Sequence, residues 1–413
     1  MSVTDMEEMR RRAVLRHLAR SRAMDHATAE RAEDGAVTLL LCGDVMLGRG
    51  VDQILPHPGD PALRERSVRD ARTYVSLAAE VNGSIPQPVD WSWPWGDTLE
   101  LLAQIDCDAR IINLETSITT SSDFAHGKGV HYRMNPANVP AVQAVQPDVC
   151  VLANNHVLDF GRRGLLETLD VLAAAGLRTA GAGRSLGEAA APAVLPTRRS
   201  EGRVVVFAFG TPSSGVPQDW AAAANRPGVN LVAPLTDAAA DELCRRAEDV
   251  RQPNDIVVVS AHWGSNWGHQ VEADQVRFAH RLIDGGVDVV HGHSSHHPRP
   301  IEVYSGKLIL YGCGDLVDDY EGITGHEQYR DDLRLLYLPR LDPGSGRLKE
   351  LRLAPFQARQ LRLHRASERD AEWLRAELDD VSRRFGSRIE GGAEGFLILT
   401  IATDPPTHRS SPS

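Results

Sequence analysis

From residue 36 onward, short runs of Val, Ile and Leu alternate with longer amphipathic stretches rich in Ala and Leu. This alternation predicts an α/β fold, in which the apolar runs are buried strands. The predicted strands are 37–42, 109–114, 148–153, 203–209, 255–261, 287–291 and 307–311. The predicted helices include 164–175, 237–250 and 273–285, and the last places Val276, Ala279, Leu282 and Ile283 on one face.

Changes in composition and hydrophobic pattern divide the chain into four segments. The predicted segments are a helix and linker at 1–34, a main domain at 35–340, an extension of that domain at 341–404 and a disordered tail at 405–413. Within the extension, the pattern predicts strands at 351–356, 360–363 and 395–401 and a helix at 368–385. Residues 56–94 carry scattered Pro, Gly and Trp, which predicts an insertion loop with some helix that covers a site.

Polar residues follow five of the predicted strands at the point where each strand ends. These groups are Gly43-Asp44, Asn113-Leu114-Glu115, Asn154-Asn155-His156, His262-Trp263-Gly264 and His291-Gly292-His293. In open α/β sheets, ligands bind beyond the carboxyl ends of the strands, so we expect these side chains to meet in one site. Carboxylate, amide and imidazole groups without cysteine suit Zn, Mn or Fe and are typical of a hydrolytic metal site.

Composition narrows the function classes. The chain has 45 basic and 56 acidic residues and a net charge of −11, so bulk charge gives no reason to expect nucleic-acid binding. Five widely spaced cysteines without a Cys-x-x-Cys pair predict free thiols in a reducing compartment. No apolar stretch approaches the roughly 18 residues of a membrane span, and no secretory h-region or P-loop motif occurs, so we expect a soluble cytoplasmic protein.

Each strand-end residue also has a structural interpretation. Asp44 can cap a helix, Glu115 can pair with an arginine, and His262 can be a hydrogen-bonded core histidine. Asp159 is interpreted as a capping or supporting residue rather than a ligand. The occurrence of all these groups at strand ends favours a common site over independent structural roles.

Three other patterns receive no role in binding. The stretch 90–96, Asp-Trp-Ser-Trp-Pro-Trp-Gly, is interpreted as a strand face or wall that packs against the core, in preference to a sugar platform. The pair Asp318-Asp319 is expected to be solvated. His297 is expected at the surface or behind the ligands.

The ordered motifs resemble those of the bacterial capsule synthesis (CapA, poly-γ-glutamate synthesis) family, a branch of the calcineurin-like metallophosphoesterases. The resemblance covers 37–318 and rests on five motifs. They are Gly43-Asp44-Val45-Met46-Leu47-Gly48-Arg49, Asn113-Leu114-Glu115, 154–161 (Asn-Asn-His-Val-Leu-Asp-Phe-Gly), His262-Trp263-Gly264 and Gly292-His293-Ser294-Ser295-His296. It implies a metallophosphatase-like four-layered α/β/β/α sandwich with one or two divalent metal ions (Mn, Zn or Fe) at the strand ends.

The resemblance also implies individual roles. Asp44 would bind the first metal, Glu115 would replace a bridging Asp, and Asn155 and His262 would bind the second metal. His293 and His296 would form the final histidine pair. His156 would protonate a leaving group or bind an oxyanion.

The chain departs from the family pattern at several positions. Met46 stands where the superfamily has a ligand histidine, which removes one ligand from the first metal. His291 remains an alternative to His296, since it shares a strand face with His293. Asp315 stands where the family usually has Asn and is placed behind the ligands. The apolar pattern predicts no membrane anchor, which many family members carry, and this departure argues against a capsule or cell-surface role.

Two functions follow from these residues. The first is a metal-dependent hydrolase acting on a phosphoester, or on a γ-glutamyl or other amide bond, in an anionic small molecule or polymer. In that function His156 would be the general acid and Arg49 would clamp the anionic substrate. The second is a non-catalytic assembly or binding role in anionic-polymer biosynthesis, which the missing histidine at position 46 favours.

Overall fold

The apolar runs form the centres of two β-sheets. The structure is a computed structural model that describes residues 35–198 and 200–401. The predicted helix and linker at 1–34 and the predicted tail at 405–413 lie outside the described residues.

The first sheet has ten strands and mixes parallel and antiparallel pairing. In chain order, the strands are β1 (Val37–Val45), β2 (Ala109–Leu114), β5 (Val149–Val151), β6 (Arg178–Ala180), β15 (Asp315–Val317), β16 (Leu333–Leu341), β17 (Leu348–Arg359), β18 (Arg362–Arg365), β19 (Ser387–Gly391) and β20 (Leu397–Ile401). The main path of the sheet runs β19-β20-β17-β16-β1-β2-β5-β6, while β15 pairs with β1 and β18 pairs with β17.

The second sheet has six strands. They are β8 (Ala193–Pro196), β9 (Arg203–Gly210), β11 (Ile256–His262), β12 (Val289–His293), β13 (Ile301–Tyr304) and β14 (Lys307–Leu310). Their order across the sheet is β13-β14-β12-β11-β9-β8. Two small two-stranded sheets pair β3 (Ser117–Ile118) with β4 (Arg133–Met134) and β7 (Ala182–Gly183) with β10 (Gly228–Val229).

The helices lie mainly on the outer faces of the two sheets. They are α1 (Arg49–Ile54), α2 (Arg72–Asn82), α3 (Thr98–Gln104), α4 (Pro140–Gln143), α5 (Gly161–Ala174), α6 (Leu186–Ala190), α7 (Asp237–Val250), α8 (Ala273–Asp284) and α9 (Glu368–Ser382). The apolar faces of α7 and α8 pack on the second sheet, whereas those of α3 and α5 pack against the core of the first.

Strand β9 shows why the two sheets stack. Val204 and Val206 belong to the core between the sheets, whereas Val205 and Phe207 pack toward the helices on the outer face. Side chains alternate between the faces of a strand, so a strand that is apolar on both faces must be covered on both. This arrangement confirms the predicted four-layered α/β/β/α sandwich.

Residues 56–94 contain α2. The tryptophan stretch at 90–96 is not a strand. Residues Trp93–Trp95 form a 3₁₀ helix. Trp95 is buried and its Nε1 donates to the carbonyl oxygen of Ala141 at 2.7 Å. Trp91 and Trp93 are half-buried against the main core. The stretch therefore serves as the predicted wall, but the strand interpretation is wrong.

Candidate metal centre

The strand-end residues meet between the two sheets. Asp44 and Glu115 lie at the ends of β1 and β2 of the first sheet, whereas His262 and His293 end β11 and β12 of the second. All four side chains are buried, so their polar atoms face one another rather than solvent. Asn155, after β5, is half-buried at the edge of the same space.

One cluster of possible ligand atoms comprises Asp44, His262 and His293, whose atoms lie within 4.8 Å of one another. Nδ1 of His262 lies 2.8 Å from Nδ1 of His293, and Nε2 of His262 lies 3.0 Å from Oδ1 of Asn155. Glu115 Oε1 lies 3.7 Å from Nε2 of His262. The predicted ligands of the second metal, together with Glu115, are thus brought together.

A second cluster comprises Asp44, His296 and Asp315, again within 4.8 Å. Nδ1 of His296 lies 3.0 Å from Oδ1 of Asp315. Asp44 belongs to both clusters, so the two possible metal positions share one carboxylate. His291 belongs to neither cluster, because its Nδ1 lies 3.1 Å from the Ser260 hydroxyl and its Nε2 lies 2.8 Å from the Cys42 carbonyl oxygen.

Asn113 holds the two central carboxylates in place. Its Nδ2 donates to Oδ1 of Asp44 at 2.7 Å and to Oε2 of Glu115 at 2.9 Å. Asn113 lies within one of the quoted strand-end groups, but the motif alone predicted no role for it. Its position two residues before Glu115, on the same strand face, was the available signal.

The electrostatics of the site favour a bound cation. Burial, and then the charges of Glu115 and Asp315, raise the pKa of Asp44 well above its usual range. Burial and Asp315 raise the pKa of Glu115 to about 8. The Oδ2 atoms of Asp44 and Asp315 are buried without a hydrogen-bond partner in the described part of the chain. Buried carboxylates in such a group are costly unless a positive charge compensates them, so the donor set fits a divalent metal ion.

The imidazoles of His262 and His293 are in the state that metal binding requires. Burial, and then neighbouring histidines, joined by Lys128 at His262, lower the pKa values of His262 and His293 well below the usual range. At neutral pH these rings are therefore uncharged and offer a lone pair. His296 differs, because the opposing effects of Asp315 and Asp44 outweigh burial and raise its pKa.

His156 lies beside the clusters and is held by two partners. Its Nδ1 lies 2.6 Å from Oδ2 of Asp159 and 2.9 Å from Nζ of Lys128, while its Nε2 lies 3.9 Å from Oε1 of Glu115. Burial, opposed by Asp159 and assisted by Lys128, lowers the pKa of His156 to about 4. Asp159 therefore contacts the ring from behind, and Nε2 is the atom turned toward the clusters.

Lys128 is a site residue that the sequence motifs did not reveal. Its Nζ forms an ion pair with Asp159 and also contacts the backbone carbonyl of Asn155. The residue lies in a loop between Gly127 and Gly129, where no strand or helix pattern marks it. Its role depends on long-range packing, so the local sequence carried no signal for it.

Arg49 is bound by carboxylates of the protein itself. Its guanidinium donates to both carboxylate oxygens of Asp319, at 2.8 and 2.5 Å, and to Oε1 of Glu65 at 3.0 Å. It also lies over the rings of Tyr74 and Tyr132. This geometry supports a buried structural role for Arg49, which links Asp319 and Glu65, and does not support the predicted role as a substrate clamp.

The acidic pair after β15 is also buried, so the expectation of a solvated pair is wrong. Asp319 binds Arg49, and Asp318 lies 2.5 Å from Arg334, a buried arginine of β16. His297 is likewise buried, and its ring stacks on Tyr329 at 4.4 Å between centroids. The surface position considered for it is wrong.

Replacing Arg49 by Gln is expected to lower the free energy of unfolding by about 3 kcal/mol, because Asp319 and Glu65 would remain buried without their cation. Chemical denaturation of the metal-loaded protein measures this effect. The matched variant Arg49→Lys keeps the positive charge but cannot donate to both carboxylate oxygens of Asp319 as a planar guanidinium does. We therefore expect a smaller decrease in the free energy of unfolding. An unchanged unfolding free energy with a raised KM would instead favour the clamp.

The family model described as "Bacterial capsule synthesis protein PGA_cap" matches residues 38–320. The chain belongs to this family. The match confirms the resemblance found in the motifs and includes every residue of the two clusters. Strands β16 to β20 and helix α9 lie beyond it.

Two individual proteins are similar in sequence to this chain. A probable polyglutamine synthesis accessory protein of Mycobacterium tuberculosis (strain ATCC 25618 / H37Rv) is 57% identical over 369 residues, which cover 89% of this chain and 97% of that protein. The PGA biosynthesis protein CapA of Bacillus subtilis (strain 168) is 28% identical over 287 residues, 69% of this chain and 71% of that protein.

Among solved structures, a 5'-nucleotidase precursor from Thermus thermophilus matches with a TM-score of 0.42 and 13% identity. The alignment covers 78% of this chain and 54% of that chain. Within residues 35–198 and 200–401, no helix has the length and apolar character needed to cross a membrane.

Proposed function

We propose that this PGA_cap family protein is a metal-dependent hydrolase that cleaves a phosphoester bond, or a γ-glutamyl or other amide bond, in an anionic substrate. The observation that carries the proposal is the pair of ligand clusters that share Asp44, with Nε2 of His156 turned toward them. A purely structural metal site needs no such additional imidazole.

The residues divide between two metal positions. Asp44 would be shared by both ions, with His296 at the first, Asn155, His262 and His293 at the second, and Glu115 close to His262. A bound Mn, Zn or Fe ion would supply a water of lowered pKa and polarise the scissile bond.

His156 would handle the proton of the reaction. Its Nδ1 is held by Asp159, so Nε2 is the atom free to accept a proton from the attacking water. The same atom would then return that proton to the leaving group. The low pKa indicates that the resting ring is neutral, so it would act first as a base and then as the predicted acid.

The names of the relatives favour a polymer of glutamyl units as substrate. The Bacillus relative is named for PGA biosynthesis, which points to a carboxylate-rich chain, whereas the mycobacterial relative is named for polyglutamine synthesis, and polyglutamine has uncharged amide side chains. Nζ of Lys128 lies 2.9 Å from Nδ1 of His156, on the side of the ring that Asp159 also contacts, and its charge acts on Glu115, so it adds positive charge close to the site.

The alternative is a non-catalytic assembly or binding role in anionic-polymer biosynthesis. The observation that favours it is Met46, which leaves the first metal position without the histidine that the family resemblance implies. In this alternative the metal would be structural or absent, and His156 would have no proton to transfer.

An activity assay on metal-analysed protein separates the two functions. The protein is purified without a chelator or nickel column, its metal content is measured, and it is reconstituted with Mn²⁺. The substrates are bis(p-nitrophenyl) phosphate and γ-glutamyl p-nitroanilide. We expect hydrolysis of one class that is lost on chelation and restored by Mn²⁺. A metal content near zero, or full metal content without turnover of either class, would contradict the hydrolase.

A further inference from the structure

Strand β15 connects the two halves of the site. It follows β14 of the second sheet but pairs in parallel with β1 of the first, with Asp315 in register with Asp44. The amide of Asp44 donates to the carbonyl oxygen of Gly314 at 3.0 Å. The chain therefore crosses between the sheets at the point that sets Asp315 beside Asp44.

This crossing depends on a close backbone contact at Gly43. A Cβ atom at Gly43 would lie 1.5 Å from the carbonyl oxygen of Gly314, so no larger residue fits there. Gly314 itself has a φ of 76°, a conformation that glycine adopts without strain. The local sequence is thus specialised to bring the two carboxylates together.

The carboxylate of Asp315 is only partly satisfied by protein groups. Its Oδ1 contacts His296, while its Oδ2 is buried without a hydrogen-bond partner in the described chain, as is Oδ2 of Asp44. Among the described hydrogen bonds, Arg334 donates to Asp318, whose carboxyl group lies beside that of Asp315, so Arg334 acts on Asp315 through its charge. Two unpartnered carboxylate oxygens beside one imidazole form a donor set that a cation would complete.

We propose that Asp315 is a direct ligand of the first metal position, together with Asp44 and His296. This inference rests on the metal centre of the proposed function. In this assignment, Asp315 supplies the ligand that the superfamily takes from a histidine at the position of Met46. Two carboxylates and one imidazole are an oxygen-rich set, which suits Mn²⁺ or Fe²⁺ better than a thiolate-seeking ion.

A position behind the ligands, where Asp315 would only orient His296, is the competing assignment. Such supporting carboxylates are common around metal-binding histidines. The two assignments differ in whether an atom of residue 315 touches the metal. A sulfur atom placed at residue 315 reports this contact directly.

The test uses the variant Asp315→Cys reconstituted with Co²⁺. We expect a sulfur-to-cobalt charge-transfer band in the near ultraviolet that the wild-type protein lacks. The wild type is the necessary baseline because it already holds five buried cysteines. A folded Asp315→Cys protein that binds wild-type amounts of Co²⁺ without this band would overturn the proposal.

The affinity for Mn²⁺ provides the second readout. In Asp315→Asn we expect Mn²⁺ affinity at one position to fall on the order of 100-fold or more, beyond the usual effect of a supporting residue. The matched variant Asn155→Ala should weaken the other position instead. Unchanged Mn²⁺ affinity in Asp315→Asn would overturn the proposal, even if the wild type holds only one ion. Neither readout depends on turnover, so an inactive protein with the charge-transfer band would reject the hydrolase but keep this assignment.

Discussion

Replacing Asp44 by Asn is expected to abolish binding at both metal positions and to lower turnover about a thousandfold or more. Asp44 is the residue common to both ligand clusters, so its loss weakens two positions at once. Metal ions contribute several kcal/mol of transition-state stabilisation, and about 4 kcal/mol corresponds to about a thousandfold in rate. Elemental analysis and steady-state kinetics measure the two effects on the same preparation.

The same substitution should change stability in opposite directions with and without metal. Asn at position 44 keeps an oxygen that can accept the hydrogen bond from Asn113, but it removes a buried carboxylate that lies close to those of Glu115 and Asp315. In chelator, the variant should therefore be more stable than the wild type by on the order of 1 kcal/mol. With Mn²⁺ present, the wild type should be the more stable protein, because only its folded state binds the ion tightly.

The control for Asp44→Asn is Asp52→Asn. Asp52 is also buried, but it accepts hydrogen bonds from Gly59, Asn135 and Asn138 rather than facing the clusters. Its substitution should leave metal content unchanged. If Asp44→Asn kept both metal equivalents, the shared-ligand arrangement would be wrong.

The strand pattern predicted the sheets well because a strand between two covered faces must be apolar throughout. The pattern also predicted that polar side chains at the strand ends would meet, since residues directly after such strands have few positions available other than the common sheet edge. His291 and His293 were predicted to share a face, and both contact Ser260 in the structure. The pattern did not determine whether His291 or His296 contacts the carboxylates of the site; in the structure it is His296.

The missed features all depend on partners that are distant in sequence. Asp319 was expected to be solvated, but it is buried against Arg49, which lies 270 positions earlier. Asp315 meets Asp44 only through the register of β15 with β1, which no local pattern encodes. Lys128 reaches Asp159 from a glycine-flanked loop. Burial of such groups follows from tertiary pairing, whereas sequence periodicity reports only the secondary structure.

Replacing His156 by Ala is expected to lower turnover by about 10² to 10⁴ while metal content stays near the wild-type value. That range is typical for the loss of a positioned acid–base group. His156 belongs to neither ligand cluster, and its Nε2 is 3.9 Å from Glu115, so the ligands should remain in place. Kinetics with the substrate identified by the activity assay, together with elemental analysis, test both parts.

Asp159→Asn provides the matched comparison, because it preserves the shape of the partner but removes its charge. Asp159 holds Nδ1 of His156 at 2.6 Å and also accepts from the backbone amide of Tyr132 at 2.7 Å. If Asp159 acts by orienting His156, the variant should lose less activity than His156→Ala, and the double variant should lose no more than His156→Ala alone. Loss of metal in His156→Ala would instead make His156 a ligand, and additive losses in the double variant would show that Asp159 acts independently of it.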